Sequence, residues 1–227
     1  LANLKSDFVA NVSHELKTPL SLIRMFGELL QSGRIEDTEK REKYTSIIVT
    51  ESERLTALIE NVLDFARVER GAAAYTFKEA DLVEIVARAV DVCRVRADAE
   101  SIELMFVPPN GPIHANVDER AIEVAVINLI DNALKYAPQG KWVGVELERV
   151  GSKYVDLVVR DRGPGIPEED RQRVFERFTR RDETKRIRGS GIGLALVNSI
   201  AQAHRGLASV SPNRPQGCAF RLRIRTG

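Results

Sequence analysis

The sequence predicts an α+β protein: an antiparallel helical hairpin that pairs with a second copy into a four-helix bundle, followed by a layered domain of mixed strands and helices. Two observations predict it. Through residues 4–68 the apolar positions recur at helical spacing, and after the small-residue joint Gly71-Ala-Ala-Ala74 short strand-like runs alternate with helical ones. The 227 residues are enough for two modest domains, placed at residues 1–70 and 75–227.

The first helix carries Phe8, Val12, Leu16, Leu20, Ile23 and Leu30 at steps of three, four or seven, which is one helical stripe. Ser32, Gly33 and Asp37 mark a turn. In the second helix Ile48, Leu55 and Val62 stand a heptad apart, with Leu58 and Phe65 on the adjoining seam. A hairpin cannot bury both seams alone. A second copy would complete the core, and packing against the downstream domain is the alternative. Downstream, strands are expected at residues 75–77, 102–107, 142–150, 154–160 and 219–224, and helices at 82–95, 119–136 and 194–203. No internal repeat interrupts this order.

Composition narrows the class. An apolar fraction of 43% and a charged fraction of 30% are those of a soluble globular protein. The net charge of +1, from 34 basic and 33 acidic residues, argues against a dedicated nucleic-acid binder. Cys93 and Cys218 lie far apart, without metal-ligand spacing, and read as buried free thiols in a reducing compartment. No apolar run approaches the roughly 18 to 20 residues of a spanning helix. With Leu1 at its start and no signal peptide, the chain reads as a fragment whose sensing or membrane part is expected upstream.

Chemistry first appears in Ser13-His14-Glu15-Leu16-Lys17-Thr18-Pro19-Leu20. At about 100° per residue, His14 points away from the stripe of Val12 and Leu16, and Thr18 follows one turn later on nearly the same side. A neutral imidazole is available near pH 7. One ring nitrogen can attack a phosphoryl group while the other sheds its proton to Glu15. Pro19 removes a helix hydrogen bond, so a bend is expected one turn after His14.

Residues 8–20, Phe-Val-Ala-Asn-Val-Ser-His-Glu-Leu-Lys-Thr-Pro-Leu, resemble the phosphoacceptor box of the sensor histidine kinases of two-component systems. The resemblance implies that His14 is phosphorylated, that the hairpin dimerises, and that the phosphoryl group passes to an aspartate on a response regulator. It also implies that Thr18 assists the reverse, regulator-phosphatase activity.

A second constellation lies downstream, without a Gly-x-x-x-x-Gly-Lys-Ser/Thr phosphate loop. In Asn128-Leu-Ile-Asp-Asn132-Ala-Leu-Lys135-Tyr136 the two amides project from one helical face, and neutral oxygens of this kind suit Mg²⁺. Lys135 can neutralise phosphate, and Tyr136 can lie beside a base. In Asp161-Arg-Gly163-Pro-Gly165-Ile166 a carboxylate can accept from an adenine amino group while the glycines admit the ring. Phe175-Glu-Arg-Phe178 precedes Arg180, Arg181, Lys185, Arg186 and Arg188, a candidate lid over phosphates. Gly189-Ser190-Gly191-Ile-Gly193-Leu194 opens a helix whose N–H groups can bind phosphate. Singly, each also suits a capped loop, a turn or a solvated charge run.

Together and in this order, these motifs resemble the ATP-binding domain shared by histidine kinases, DNA gyrase, mismatch-repair MutL proteins and the ninety-kilodalton heat-shock chaperone. The resemblance implies an α/β sandwich with ATP held between lid and helices, Asn132 as the Mg²⁺ ligand and Asp161 as the adenine contact. ATPases of this superfamily place a glutamate base four residues before the magnesium asparagine. Asn128 occupies that place and cannot take a proton. A protein-histidine kinase is therefore the expected activity, in the cytoplasmic portion of a membrane-anchored bacterial sensor. A water-directed ATPase and a non-catalytic nucleotide-binding scaffold stand as alternatives. His114 and His204 are assigned no chemistry; His204, ending a helix, is expected to favour its negative pole.

Overall fold

The hairpin is built from two long helices, α1 (Ala2–Gln31) and α2 (Thr38–Glu69). The computed structural model describes residues 2–33, 35, 37–69, 75–176 and 192–226, and side chains within these except 2–11, 14, 15, 57, 60, 61, 64, 65 and 67–69. The chain divides into two compact units, the first of residues 1–66 and the second beginning at Arg67. α1 runs unbroken through Pro19. It ends where Ser32 N–H donates to the Glu28 carbonyl at 3.0 Å and Gly33 takes φ +68°, a left-handed position that suits glycine. Asp37 then caps α2, its Oδ1 accepting the N–H groups of Glu39 and Lys40 at 3.0 and 3.3 Å. Across the turn the Phe26 and Tyr44 rings lie 4.9 Å apart.

Of the described hairpin side chains only Val12 and Pro19 are buried. The expected stripe is partly covered at Leu16, Ile23 and Leu30, but Leu20 is 57% exposed, as Leu63 on α2 is at 53%. Thr18, expected on the water-facing side, is half-buried. The exposed arc is centred on Ser13, Lys17 and Arg24, and at 100° per residue Thr18 lies well to its side.

The second unit begins with β1 (Lys78–Asp81), α3 (Leu82–Ala99), β2 (Glu103–Val107), β3 (His114–Val117) and α4 (Glu119–Tyr136). It continues through β4 (Trp142–Val150), β5 (Tyr154–Asp161), α5 (Gly193–Ala203), β6 (Leu207–Pro212) and β7 (Cys218–Arg225). Five strands form one sheet in the order β2-β4-β5-β7-β6, with only the β2–β4 pair parallel, and β1 pairs with β3 alongside. Alternation divides the sheet into two faces. Val155, Leu157 and Val159 of β5 and Phe220, Leu222 and Ile224 of β7 join Ile122, Val126 and Leu129 of α4 in one buried core. On the opposite face Asp156, 2% exposed, is held by Arg223 (2.7 and 2.9 Å) and Arg221 (2.9 Å), while Arg160 bridges Glu146 and Glu148. This is the α/β sandwich.

Three expectations need correction. Residues 75–77 form no strand; the rings of Tyr75 and Phe77 instead pack 5.7 and 5.0 Å from that of His204. β3 and β6 were not foreseen, because β3 is four residues long after a Pro/Gly-rich stretch and β6 alternates with serines. His204 is not a charged helix terminus. Its Nδ1 lies 2.8 Å from the Ile200 carbonyl and its Nε2 accepts the Asp118 N–H at 3.0 Å, which requires the neutral ring; burial, the dominant effect, pushes its pKa down. Among the described residues no helix is long and apolar enough to cross a membrane, and no cluster of three His, Cys, Asp or Glu side chains could hold a metal ion.

Candidate active site

The phosphoacceptor-like box lies within a single helix, α1, so His14 and Glu15 are helical neighbours. Their side chains fall outside the described ones.

α4 positions the second set. Its buried stripe of Ile122, Val126, Leu129, Ile130 and Ala133 packs on the sheet, which leaves Asn128, Asn132, Lys135 and Tyr136 half-buried on the other side. Asp118 starts the helix by accepting the Ala121 N–H on Oδ1 at 2.9 Å. The Asn128 amide donates to the Val124 carbonyl at 2.9 Å, and a Cβ on Gly193 would stand only 2.6 Å from Asn128 Oδ1. A side chain at residue 193 would therefore displace the Asn128 amide from its place against the first turn of α5. Asn132 makes no hydrogen bond among the described residues, so its amide is available to a ligand. Lys135 Nζ lies 4.9 Å from the centre of the Tyr136 ring.

At the other end of α4 stands the turn after β5. Asp161 is 5% exposed, and its Oδ1 accepts the Gly163 N–H at 2.8 Å and the Cys218 N–H at 3.1 Å. Burial raises its pKa, and these two donors oppose the rise. A Cβ on Gly163 would lie 2.6 Å from that of Ala137, the residue that follows α4, and Gly165 has φ +80°. Ile166 is half-buried against the core. Arg162 turns outward, 4.4 Å over the Trp142 ring.

The structure brings Asn128 against Gly193 and Asp161 against Gly163, and α4 joins the two places. From Asn128 to Ala137 a helix rises about 1.5 Å per residue, so the two places stand roughly 14 Å apart along α4. Leu194 is half-buried in the first turn of α5. Phe178, Arg181, Arg188, Gly189, Ser190 and Gly191 lie outside the described residues. Sequence reasoning missed Cys218, read as an idle thiol. Its contribution to the site is a backbone N–H, which no side-chain pattern can reveal.

Residues 4–71 match the His Kinase A (phospho-acceptor) domain, and residues 117–227 match the histidine kinase-, DNA gyrase B-, and HSP90-like ATPase family. The sensor-like histidine kinase SenX3 of Mycobacterium tuberculosis (strain H37Rv) is 33% identical over 222 residues, 97% of this chain and 53% of SenX3. MprB of Mycobacterium sp. (strain KMS), a signal transduction histidine-protein kinase/phosphatase, is 34% identical over 214 residues, 92% of this chain and 40% of MprB. A solved structure of mycobacterial sensor histidine kinase MprB superposes with a TM-score of 0.58 at 32% identity, covering 66% of this chain and 97% of that one. Full-length ShkA in complex with AMPPNP gives a TM-score of 0.68 at 26% identity, covering 96% of this chain and 46% of that one. The chain spans about half the length of the curated relatives it matches. It belongs to the sensor histidine kinases of two-component systems.

Proposed function

We propose that this chain transfers the γ-phosphoryl group of ATP to its own His14 and then to an aspartate on a response-regulator receiver domain. Residues 1–70 form the dimerisation and phosphotransfer part, and residues 75–227 the catalytic part. One observation carries the reading: α4 presents Asn128 and Asn132 on a half-buried stripe between the glycine at the start of α5 and the caged carboxylate of Asp161. The residues fit the nucleotide. Glycines clear both approaches, the Asn132 amide is uncommitted, and Asp161 Oδ2, which accepts no bond among the described residues, is the oxygen left for the adenine amino group. MprB is named a kinase/phosphatase and ShkA was solved with an ATP analogue; the same substrate and the reverse activity are assigned here.

Asn132 would hold Mg²⁺, which supplies charge neutralisation on the phosphates when bound. Lys135 and the basic residues Arg181 and Arg188 add positive charge there. A neutral His14 ring nitrogen forms the N–P bond as the bond from the γ-phosphorus to the bridging oxygen breaks. ADP leaves, and Glu15 takes the proton from the ring. Thr18, one turn on, serves the dephosphorylation of the regulator. With Asn128 where a water-activating glutamate would stand, transfer to His14 is favoured over hydrolysis. The apolar side chains left exposed on α1 and α2 support a homodimer built through the hairpin. The chain is assigned to the cytoplasmic side of a membrane-anchored bacterial sensor, where ATP is available, and no nucleic-acid partner is assigned.

Incubation with γ-labelled ATP tests the reading. Acid-labile, base-stable label is expected on the wild-type protein and none on His14→Gln, with nucleotide binding retained in both. Full labelling of the variant would refute the assignment.

A further inference from the structure

The turn carrying Asp161 is held by a segment far from it in sequence. The tip between β6 and β7 closes on itself through the Asn213 N–H, which donates to the Gly217 carbonyl at 3.0 Å. From that tip the Asn213 side-chain amide donates to the Asp161 backbone carbonyl at 2.8 Å, and the Cys218 N–H donates to Asp161 Oδ1 at 3.1 Å. Gly217, at φ +114°, packs against the same carbonyl so closely that a Cβ there would overlap it. The far side of the turn is closed as well. Gly163 abuts Ala137, and a Cβ on Gly140 would lie 2.6 Å from the Arg162 carbonyl oxygen.

Consider what this does to the carboxylate. Two N–H donors occupy Oδ1, which leaves Oδ2 as a pure acceptor. An acceptor fixed in place welcomes an amino group and is repelled by an oxo group, because neither oxygen can supply a proton. Discrimination of this kind survives only if the carboxylate cannot swing aside when the wrong base arrives. The backbone of Asp161 must therefore be held, and the Asn213 amide is the side chain that holds it.

We infer that Asn213 is a positioning residue for base recognition: by fixing the Asp161 backbone, it sets the preference for a 6-amino over a 6-oxo purine nucleotide. The inference rests on the reading of Asp161 as the base contact. A purely structural Asn213 would, when removed, weaken binding of both nucleotides alike. A positioning Asn213 changes their ratio.

The experiment measures equilibrium binding of ATP and GTP to the full chain by calorimetry, for the wild type and for Asn213→Ala, Asn213→Gln and Asp161→Ala. Loss of one hydrogen bond of about 1 kcal/mol should reduce the ATP-over-GTP preference of Asn213→Ala about five-fold. Asn213→Gln, which keeps the donor, should restore part of it. If the alanine variant does not fold, Asn213→Asp, isosteric and without the donor, carries the same expectation. An unchanged ratio, or a parallel fall for both nucleotides, overturns the positioning role. A wild type with no preference, or an Asp161→Ala variant that keeps the preference, overturns the Asp161 reading and this role with it. Loss of preference in Asp161→Ala alone leaves that reading standing and rejects Asn213.

Discussion

The two units close their apolar surfaces in different ways. In the α/β unit, every residue of the contiguous core lies between Ala80 and Ile224, and α3, α4 and α5 each bury a complete stripe. The hairpin is made of longer helices, 30 and 32 residues, yet leaves Leu20, Met25, Leu29, Val49, Ile59 and Leu63 exposed. Two helices side by side can cover only the faces they turn to each other. The α/β unit leaves apolar side chains exposed as well, Val92, Val95, Val107 and Leu207 among them, but these lie outside a contiguous core that is already closed. One unit is closed around its own core, whereas the hairpin buries only Val12 and Pro19 among its described side chains, which is what the proposed homodimer would complete.

Apolar residues in the two units should therefore fail differently. Phe220 is 2% exposed and stacks edge-on to Phe175 at 6.3 Å. Phe220→Ala should cost about 3–5 kcal/mol, read as a lower denaturant midpoint of the α/β unit, with the oligomeric state unchanged. Leu63→Asp should leave that midpoint in place and weaken self-association at least about tenfold, because in the proposed homodimer a charge would enter the apolar surface that α2 leaves exposed. Sedimentation at several concentrations checks it. A Leu63→Asp protein that stays as dimeric as wild type breaks the contrast.

Much of this was legible in the residues. The bounds of β4 and α4 follow from alternation and from the 3.6-residue period, since both elements have one buried side and one wet side. α3 runs on to Ala99 beyond the expected residue 95, because its last turn is polar and carries no apolar signal apart from a buried Ala97. β6 was hidden for a similar reason: its serines face the outer side of an edge strand. At the site, glycines and asparagines advertise themselves, but the donors that aim Asp161 do not. Gly163 and Cys218 act through backbone N–H groups, and Asn213 stands 52 positions from its acceptor. Contacts of that separation are set by the pairing of β5, β6 and β7, which single-sequence patterns do not carry.

A smaller effect sets the units apart by pH. Buried His204 links the C-terminal end of α5 to the start of α4, and its pKa lies below the ordinary value, chiefly from burial, with Asp118 pulling the other way. An unfolded histidine takes its proton near about 6.5, so below that pH the unfolded state binds more protons than the folded one. The stabilisation is complete above that value and is lost as pH falls through the folded value. Asp161, whose pKa is raised by burial, slopes the opposite way, so comparison with a variant isolates His204. His204→Gln should flatten the fall in denaturant midpoint between about pH 6.5 and 5. An equally steep fall in the variant would remove His204 as the cause.

The smallest difference expected lies in the helix caps. Asp37 and Asp118 each start a helix with a carboxylate, but their surroundings differ. Asp37 is exposed and serves only α2, through Glu39 and Lys40. Asp118 accepts the Ala121 N–H on one oxygen and, at 2.7 Å on the other, the Thr76 N–H from the stretch that leads into β1. Its second bond ties a remote segment to the helix, so truncation releases two donors in different elements. Asp118→Ala should cost about 2 kcal/mol, and Asp37→Ala about 0.5–1 kcal/mol, because water can replace an exposed cap. Hydrogen exchange separates the cases: Asp118→Ala should deprotect the Thr76 amide as well as the first turn of α4, while Asp37→Ala should affect only the first turn of α2. Should Thr76 keep its protection in Asp118→Ala, the carboxylate would be an ordinary cap, and the start of the α/β unit would be held by the aromatic packing on His204 instead.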